Sequence, residues 1–202
     1  MTALIEAASQ TGYPAEIALV ISNRQDAAGL ARARASRITT EVIDHRKFGG
    51  DREAFEAAVQ AELERHRIEI VCLAGFLRLF TPWLVSRWSG RMINIHPALL
   101  PAFKGLHTHE QALAAGVKIH GASVHFVVPE VDSGPIVAQA AVPVFDDDTA
   151  ETLAARVLSV ELRLYPMALA LVASDKVRII ADRVRNTVAV ATGGELFVPN
   201  AK

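Results

Sequence analysis

One cysteine in 202 residues leaves no partner for an intramolecular disulfide. Cys72 sits in the apolar run Ile70-Val71-Cys72-Leu73 and reads as a buried filler. Charge of one sign is also missing: 21 basic residues face 22 acidic ones, and no basic run reaches five. A surface that coats nucleic acid is therefore excluded. No apolar span near 20 residues is free of charge, and no signal peptide is recognisable, so no membrane partner is expected. Cytoplasmic localisation is the resulting expectation. Internal repeats, low-complexity segments and linkers are lacking too, so a single domain over 1–202 is expected.

The chain is instead rich in apolar residues, at 51%, ample for a large core. Ile17 to Ile21 is a continuous apolar run ended by Ser22-Asn23, the pattern of a buried parallel strand. Asp26 to Arg37 reads as a helix and Glu41 to Ile43 as a short strand. Phe55, Val59 and Leu63 recur every four residues in a helix over Arg52 to His66. Ile68 to Ala74 is a second buried strand, closed by Gly75. A short helix over Pro82 to Trp88 and a strand over Met92 to Ile95 follow. This rhythm predicts an α/β fold, an open doubly wound and mostly parallel sheet with helices on both faces.

Further on, Ile119 to Val128 and Ile136 to Val144 read as two strands joined by a Pro- and Gly-bearing turn. Asp148-Thr149-Ala150-Glu151 fits a capping box for a helix to about Ala173. Val177 to Ile180, Val188 to Val190 and Leu196 to Val198 read as short strands, with Gly193-Gly194 as a hairpin turn. The opening is unusual: Met1 to Ala8 looks helical, with no strand before it.

The stretch Asn94-Ile95-His96-Pro97-Ala98-Leu99-Leu100-Pro101 is the most telling. Residues two apart on a strand face one side, so Asn94 and His96 aim at one volume. Paired donors suit a transition state with new negative charge on oxygen. Each candidate also has a plain structural reading. Asn94 and His96 are ordinary loop residues. Asp132 is ordinary in a Gly- and Pro-rich turn, and Arg52 is a surface charge at a helix start. His107-Thr108-His109 lacks a Cys or carboxylate at ligand spacing, which disfavours a metal. Asp146-Asp147-Asp148 reads as a solvated turn and cap.

Taken together, three segments carry a resemblance. They are Asn94 through His109, His120-Gly121-Ala122-Ser123-Val124-His125-Phe126, and Val131-Asp132-Ser133-Gly134-Pro135-Ile136. Ala74-Gly75-Phe76-Leu77-Arg78-Leu79 and Glu161 with Leu164-Tyr165-Pro166 extend it. The chain resembles the folate-dependent formyltransferases over nearly its whole length, most of all the phosphoribosylglycinamide formyltransferase branch. Gly105-Leu106-His107-Thr108-His109 favours that branch.

The resemblance implies transfer of a formyl group from 10-formyltetrahydrofolate to the primary amine of glycinamide ribonucleotide, in purine biosynthesis. It implies catalytic roles for Asn94, His96 and Asp132 and no metal. It places the folate against Arg52, Leu77, Arg78, Leu79, Phe80, Asn94, Val128, Pro129, Glu130, Val131 and Asp132. Glu161, Pro97 and Gly75 match substrate-binding positions, and Ser123, His125 and His107 match supporting ones. It divides the chain into a nucleotide-binding half to about 100, a folate-binding and catalytic half over 101–174, and a short-strand tail over 175–202. The partners implied are small molecules, for a monomer or homodimer. Deformylase-like hydrolysis of the same folate and a non-catalytic folate-binding module are the rival readings.

The family pattern opens with a strand and a Gly-rich phosphate loop, and this sequence begins beyond both. The expectation is that residue 1 is internal to a longer reading frame or that the chain has been trimmed, and that it is less stable and binds the nucleotide weakly. Equal activity with and without an upstream Gly-rich extension would contradict it.

Overall fold

A computed structural model of the chain describes residues 1–76 and 78–187. Helix α1 (Thr2–Ala8) leads to strand β1 (Leu19–Ser22), α2 (Ala28–Ala35) and β2 (Thr39–Val42). A 3-10 turn (His45–Phe48), α3 (Arg52–Arg65), β3 (Val71–Leu73), α4 (Pro82–Arg87) and β4 (Met92–His96) follow. The second half carries α5 (Thr108–Ala114), β5 (Ile119–Phe126), β6 (Ile136–Pro143), α6 (Ala150–Ala173), β7 (Val177–Ile180) and β8 (Arg183–Asn186). The predicted strands at 188–190 and 196–198 and the Gly193-Gly194 turn lie outside the described residues.

The sheet is mixed. β1 pairs with β2 in parallel and β3 with β4 in parallel, while β4–β5 and β5–β6 are antiparallel. The main sheet therefore runs β3-β4-β5-β6, and β1–β2 forms its own ladder. β7 and β8 close a hairpin that the sequence pattern showed only in its first strand.

Strand β4 shows why helices cover both faces. Met92 packs with Phe55, Val59 and Leu63 of α3 and Leu84 and Trp88 at α4. Its neighbour Ile93 packs on the other face with Val124, Phe126, Leu153, Val157 and Leu169. Successive side chains on a strand point to opposite faces, so one strand feeds two cores. Asn94 and His96 share the parity of Met92.

The helix starts follow local chemistry, with one correction. The Asp51 side chain accepts the Ala54 N–H and starts α3. Thr149, rather than Asp148, caps α6, and Thr149 and Thr152 bond reciprocally where Glu151 was expected. Asp148 is not a solvated cap either. Its side chain is 2% exposed, and Arg156 grips it with two nitrogens, each at 2.7 Å. The guanidinium holds its carboxyl well below the usual carboxylate range.

Tyr165 on α6 is buried, and its hydroxyl reaches the carbonyls of Leu73 at 2.8 Å and Ile93 at 3.0 Å. It thus ties β3 and β4 to the long helix. Between β1 and β3 no ladder forms; a cavity of about 1120 Å³ lies there, lined by β1, β3, Met1, Leu4 and Leu169. Cys72 lines this cavity, half-buried, and burial pushes its thiol up to about 12. Among the described residues no helix is long and apolar enough to cross a membrane.

His120 is the fully buried histidine of β5. Its Nε2 lies 3.2 Å from His109 Nδ1, Phe103 meets its ring edge-on, and its Nδ1 has no partner. Burial, then the neighbouring His109, lowers its pKa to about 4.

Two outcomes are expected. Tyr165→Phe removes the one hydroxyl proton that these two carbonyls share and costs about 1–2 kcal/mol. That is a fall in Tm of roughly 4 °C for a chain of this size; an unchanged Tm would show both carbonyls satisfied otherwise. For His120, the unfolded ring takes a proton near its reference value of about 6.5, the folded ring only near 4. Its contribution is complete above about pH 6.5 and is lost as pH falls towards 4. The urea midpoint therefore drops across that window, and His120→Gln makes the drop shallower. Parallel slopes in both proteins would contradict the assignment.

Candidate active site

The β4–β5 ladder sets the geometry. Its register puts Asn94 opposite His125 and His96 opposite Ser123. Directly opposed side chains on one face of an antiparallel pair lie within touching distance. Four polar residues are thus gathered on one patch, while Ile93, Ala122, Val124 and Phe126 fill the core behind it.

Asp132 arrives from the turn after β5. Its Oδ2 lies 3.4 Å from His96 Nδ1, and its Oδ1 lies 3.7 Å from His125 Nε2. Oδ2 also accepts the Gly105 N–H at 2.9 Å. The residue has φ of 48°, a left-handed conformation that Asp tolerates better than most. The turn can pass so close to β5 because residue 134 is Gly. A Cβ there would stand 1.8 Å from the Phe126 carbonyl oxygen.

The protonation pattern is readable from partners. His125 Nδ1 lies 2.9 Å from the Phe126 carbonyl, which only accepts, so Nδ1 carries the hydrogen. Burial holds this ring below the ordinary histidine value, outweighing the nearby Asp132. Neutral His125 therefore presents an Nε2 lone pair to Asn94 Nδ2 at 3.4 Å. That contact orients the Asn94 amide and leaves its second N–H without a partner among the described residues. His96 Nε2 donates to the Phe103 carbonyl at 2.9 Å, which turns Nδ1 towards the carboxylate. His96 is 4% exposed, so its ring is held by protein on nearly all sides.

The loop after β4 is pinned from below. Ser123 Oγ accepts the Leu100 N–H at 2.9 Å and donates to the Ala98 carbonyl at 2.7 Å. Gln139 on β6 donates to Ser123 Oγ at 2.8 Å and to the Leu100 carbonyl at 3.0 Å. Thr108 Oγ1 donates to the Pro97 carbonyl at 2.8 Å. Pro97 thus belongs to the loop and Ser123 acts beneath it.

The remaining candidates divide. Arg52 Nη2 donates to the Leu79 carbonyl, Arg78 lies over Phe55 with its guanidinium carbon 5.8 Å from the ring centroid, and Phe80 stacks on Phe76 at 4.7 Å. Leu79 is 60% exposed. Leu77 lies outside the described residues. Val128 is half-buried, and Pro129, Glu130 and Val131 are exposed beside Asp132. Gly75, with φ of 68°, turns the chain out of β3 beside the inter-sheet cavity. Glu161 is half-buried on α6, and burial raises its carboxyl above the usual range. His107 is not brought to the cluster: its side chain is 77% exposed and faces Glu110. His109 turns inward to His120, so the two histidines do not converge on one point.

Three contributors escaped the sequence reading: Gln139, the Phe103 carbonyl and the Gly105 N–H. Gln139 was accessible in principle, since the β5–β6 register places it opposite Ser123. The two backbone groups carry no side-chain signal.

Comparison with known proteins bears on this arrangement. The chain matches the family described as Formyl transferase over residues 1–169. It is 46% identical over 179 residues to the trifunctional purine biosynthetic protein adenosine-3 of Gallus gallus, covering 89% of this chain and 18% of that one. The chain thus spans under a fifth of that relative's length. Phosphoribosylglycinamide formyltransferase of Escherichia coli K12 is 40% identical over 179 residues, covering 89% of this chain and 84% of its own. Among solved structures, glycinamide ribonucleotide transformylase 1 from Symbiobacterium toebii superposes with a TM-score of 0.88 at 43% identity, covering 92% of this chain and 87% of that one. With a match across residues 1–169 and the same architecture in the solved relatives, the chain belongs to the formyl transferase family.

Proposed function

We propose that this chain transfers a formyl group from 10-formyltetrahydrofolate to the primary amine of glycinamide ribonucleotide, acting on small molecules in the cytoplasm. The observation that carries the reading is the Asn94 N–H without a partner among the described residues, on an amide held by neutral His125 beside the His96–Asp132 pair. A neutral amine attacking a formyl carbon forms a C–N bond and puts negative charge on the formyl oxygen. Asn94 donates to that oxygen, a contribution of about 3–4 kcal/mol for a well-aimed donor. The bond from the formyl carbon to the folate nitrogen then breaks. The amine loses one proton and the folate nitrogen gains one. His96 and Asp132 share the Nδ1 side of the imidazole and carry that proton between them.

The Phe103 carbonyl keeps Nε2 of the ring occupied, so the transfer runs through Nδ1. Nothing in this scheme calls for a covalent intermediate. The folate is assigned to the strip formed by the exposed Arg78 and Leu79, the half-buried Phe80 stacked on Phe76, and the backbone over residues 128–131. Apolar surface beside backbone polar groups suits a planar, hydrogen-bonding ring. Glu161, Pro97 and Gly75 are assigned to the nucleotide.

The test mixes the protein with 10-formyltetrahydrofolate, with and without glycinamide ribonucleotide. Turnover that requires the amine supports transfer. Formate release without it supports the hydrolase, and binding without turnover supports a non-catalytic module. Asn94→Ala is expected to lower kcat by about 10²–10³-fold while the folate still binds. Asp132→Asn removes the charge facing His96 but keeps its shape, and is expected to lower kcat by at least about 10²-fold. Near-normal kcat in either variant would remove that residue from the mechanism.

A further inference from the structure

Glu56 is a carboxylate buried to 1% exposure, one turn inside α3. It has no cationic partner among the described residues. Such a group is costly unless every oxygen is satisfied. Its two oxygens are satisfied by one residue: Oε1 accepts the Thr81 N–H at 2.7 Å, and Oε2 accepts from Thr81 Oγ1.

Thr81 is the N-cap residue of α4, where a threonine hydroxyl ordinarily accepts from the helix backbone. Here the side chain makes no cap bond. Its hydroxyl is given to Glu56 instead, which a merely helix-stabilising threonine would not do. The same helix face grips the preceding residues. Arg52 holds the Leu79 carbonyl and Phe55 lies under Arg78. Positions 52, 55 and 56 are spaced i, i+3 and i+4, so all three project from one side of α3. Residues 78, 79 and 81 are thereby fixed in succession.

We propose that Glu56 is a positioning residue of the folate site, holding segment 78–81 in its binding shape through Thr81. This rests on the assignment of that segment to the folate above. Glu56 touches no reacting atom. Its removal leaves the segment free to sample other shapes, so binding must order it first.

The experiment uses the full chain with Glu56→Ala, Glu56→Gln and Thr81→Val. Steady-state kinetics are read separately for the two substrates, and hydrogen exchange is followed over residues 79–81 in the free protein. Losing the clamp leaves the Thr81 N–H unmet, worth about tenfold in an equilibrium. Glu56→Ala should raise the KM for 10-formyltetrahydrofolate about 10-fold, with the nucleotide KM and kcat within about twofold. Glu56→Gln should restore most of it, because an amide can still accept from the N–H and pair with the hydroxyl. A folded Glu56→Ala with unchanged folate KM, or with both KM values rising together, overturns the proposal. If Glu56→Ala does not fold, Thr81→Val decides: it keeps the N–H bond and should raise only the folate KM, and no rise overturns the clamp. Failure of the functional reading looks different, as wild type without amine-dependent turnover. Exchange over 79–81 then decides: about 10-fold acceleration in Glu56→Ala supports the clamp, and unchanged exchange overturns it.

Discussion

The register between β4 and β5 is the constraint on which the rest depends. Asn94 opposite His125 and His96 opposite Ser123 give one polar patch. A one-residue slip of β4 would turn Asn94 and His96 into the packed face occupied by Val124 and Phe126. It would also turn Ile93 out of a core where it is fully buried. The apolar residues of these strands therefore hold the polar ones in place. Chemistry and packing are two faces of one ladder, and neither can be altered alone.

How much of this was legible in the sequence follows from the range of each interaction. The parallel strands and α3 were legible because their signals are local: unbroken apolar runs and Phe55, Val59, Leu63 at helical spacing. Asn94 and His96 on one side of β4 followed from strand parity. Asp132 was legible only through resemblance. Nothing within its own turn distinguishes it from an ordinary loop aspartate, and 36 positions separate it from His96. Helix α5 gave no periodic pattern over its seven residues and was not predicted. Asp148 was misjudged for a related reason. A run of three aspartates looks solvated until Arg156, two turns away, folds back on one of them.

The histidines show how position in the fold decides chemistry. Five of them sit between residues 96 and 125, yet they have different tasks. His107 is exposed at the start of α5. His109 and His120 face each other inside, where burial lowers both pKa values and keeps them uncharged. His125 is neutral for the same reason and serves as an acceptor. His96 differs because both ring nitrogens face oxygen, the Phe103 carbonyl on one side and Asp132 on the other. That distinction comes from loop backbone reaching the ring, and it makes residues 97–105 part of the site although few of their side chains enter it.

The two halves of the molecule are held together by different forces. β3 to β6 share a continuous ladder, and Tyr165 adds a side-chain bond across it. β1 and β2 join the rest through side chains instead: Ile21 and Ile43 pack against the cluster of Phe55 and Leu84. The facing edges of β1 and β3 look onto the cavity, and their apolar residues stay half-buried. Backbone edges without a ladder resist opening less than paired ones. The patch of Asn94, His96, His125 and Asp132 lies on the ladder-bonded side of that boundary. Segment 78–81 hangs from α3, and its Phe80 packs in the cluster that joins α3 and α4 to Met92 of β4. The reacting groups meet α3 through Met92 of their own strand, whereas segment 78–81 is bonded to α3 directly. A change that loosens α3 reaches the second before it reaches the first.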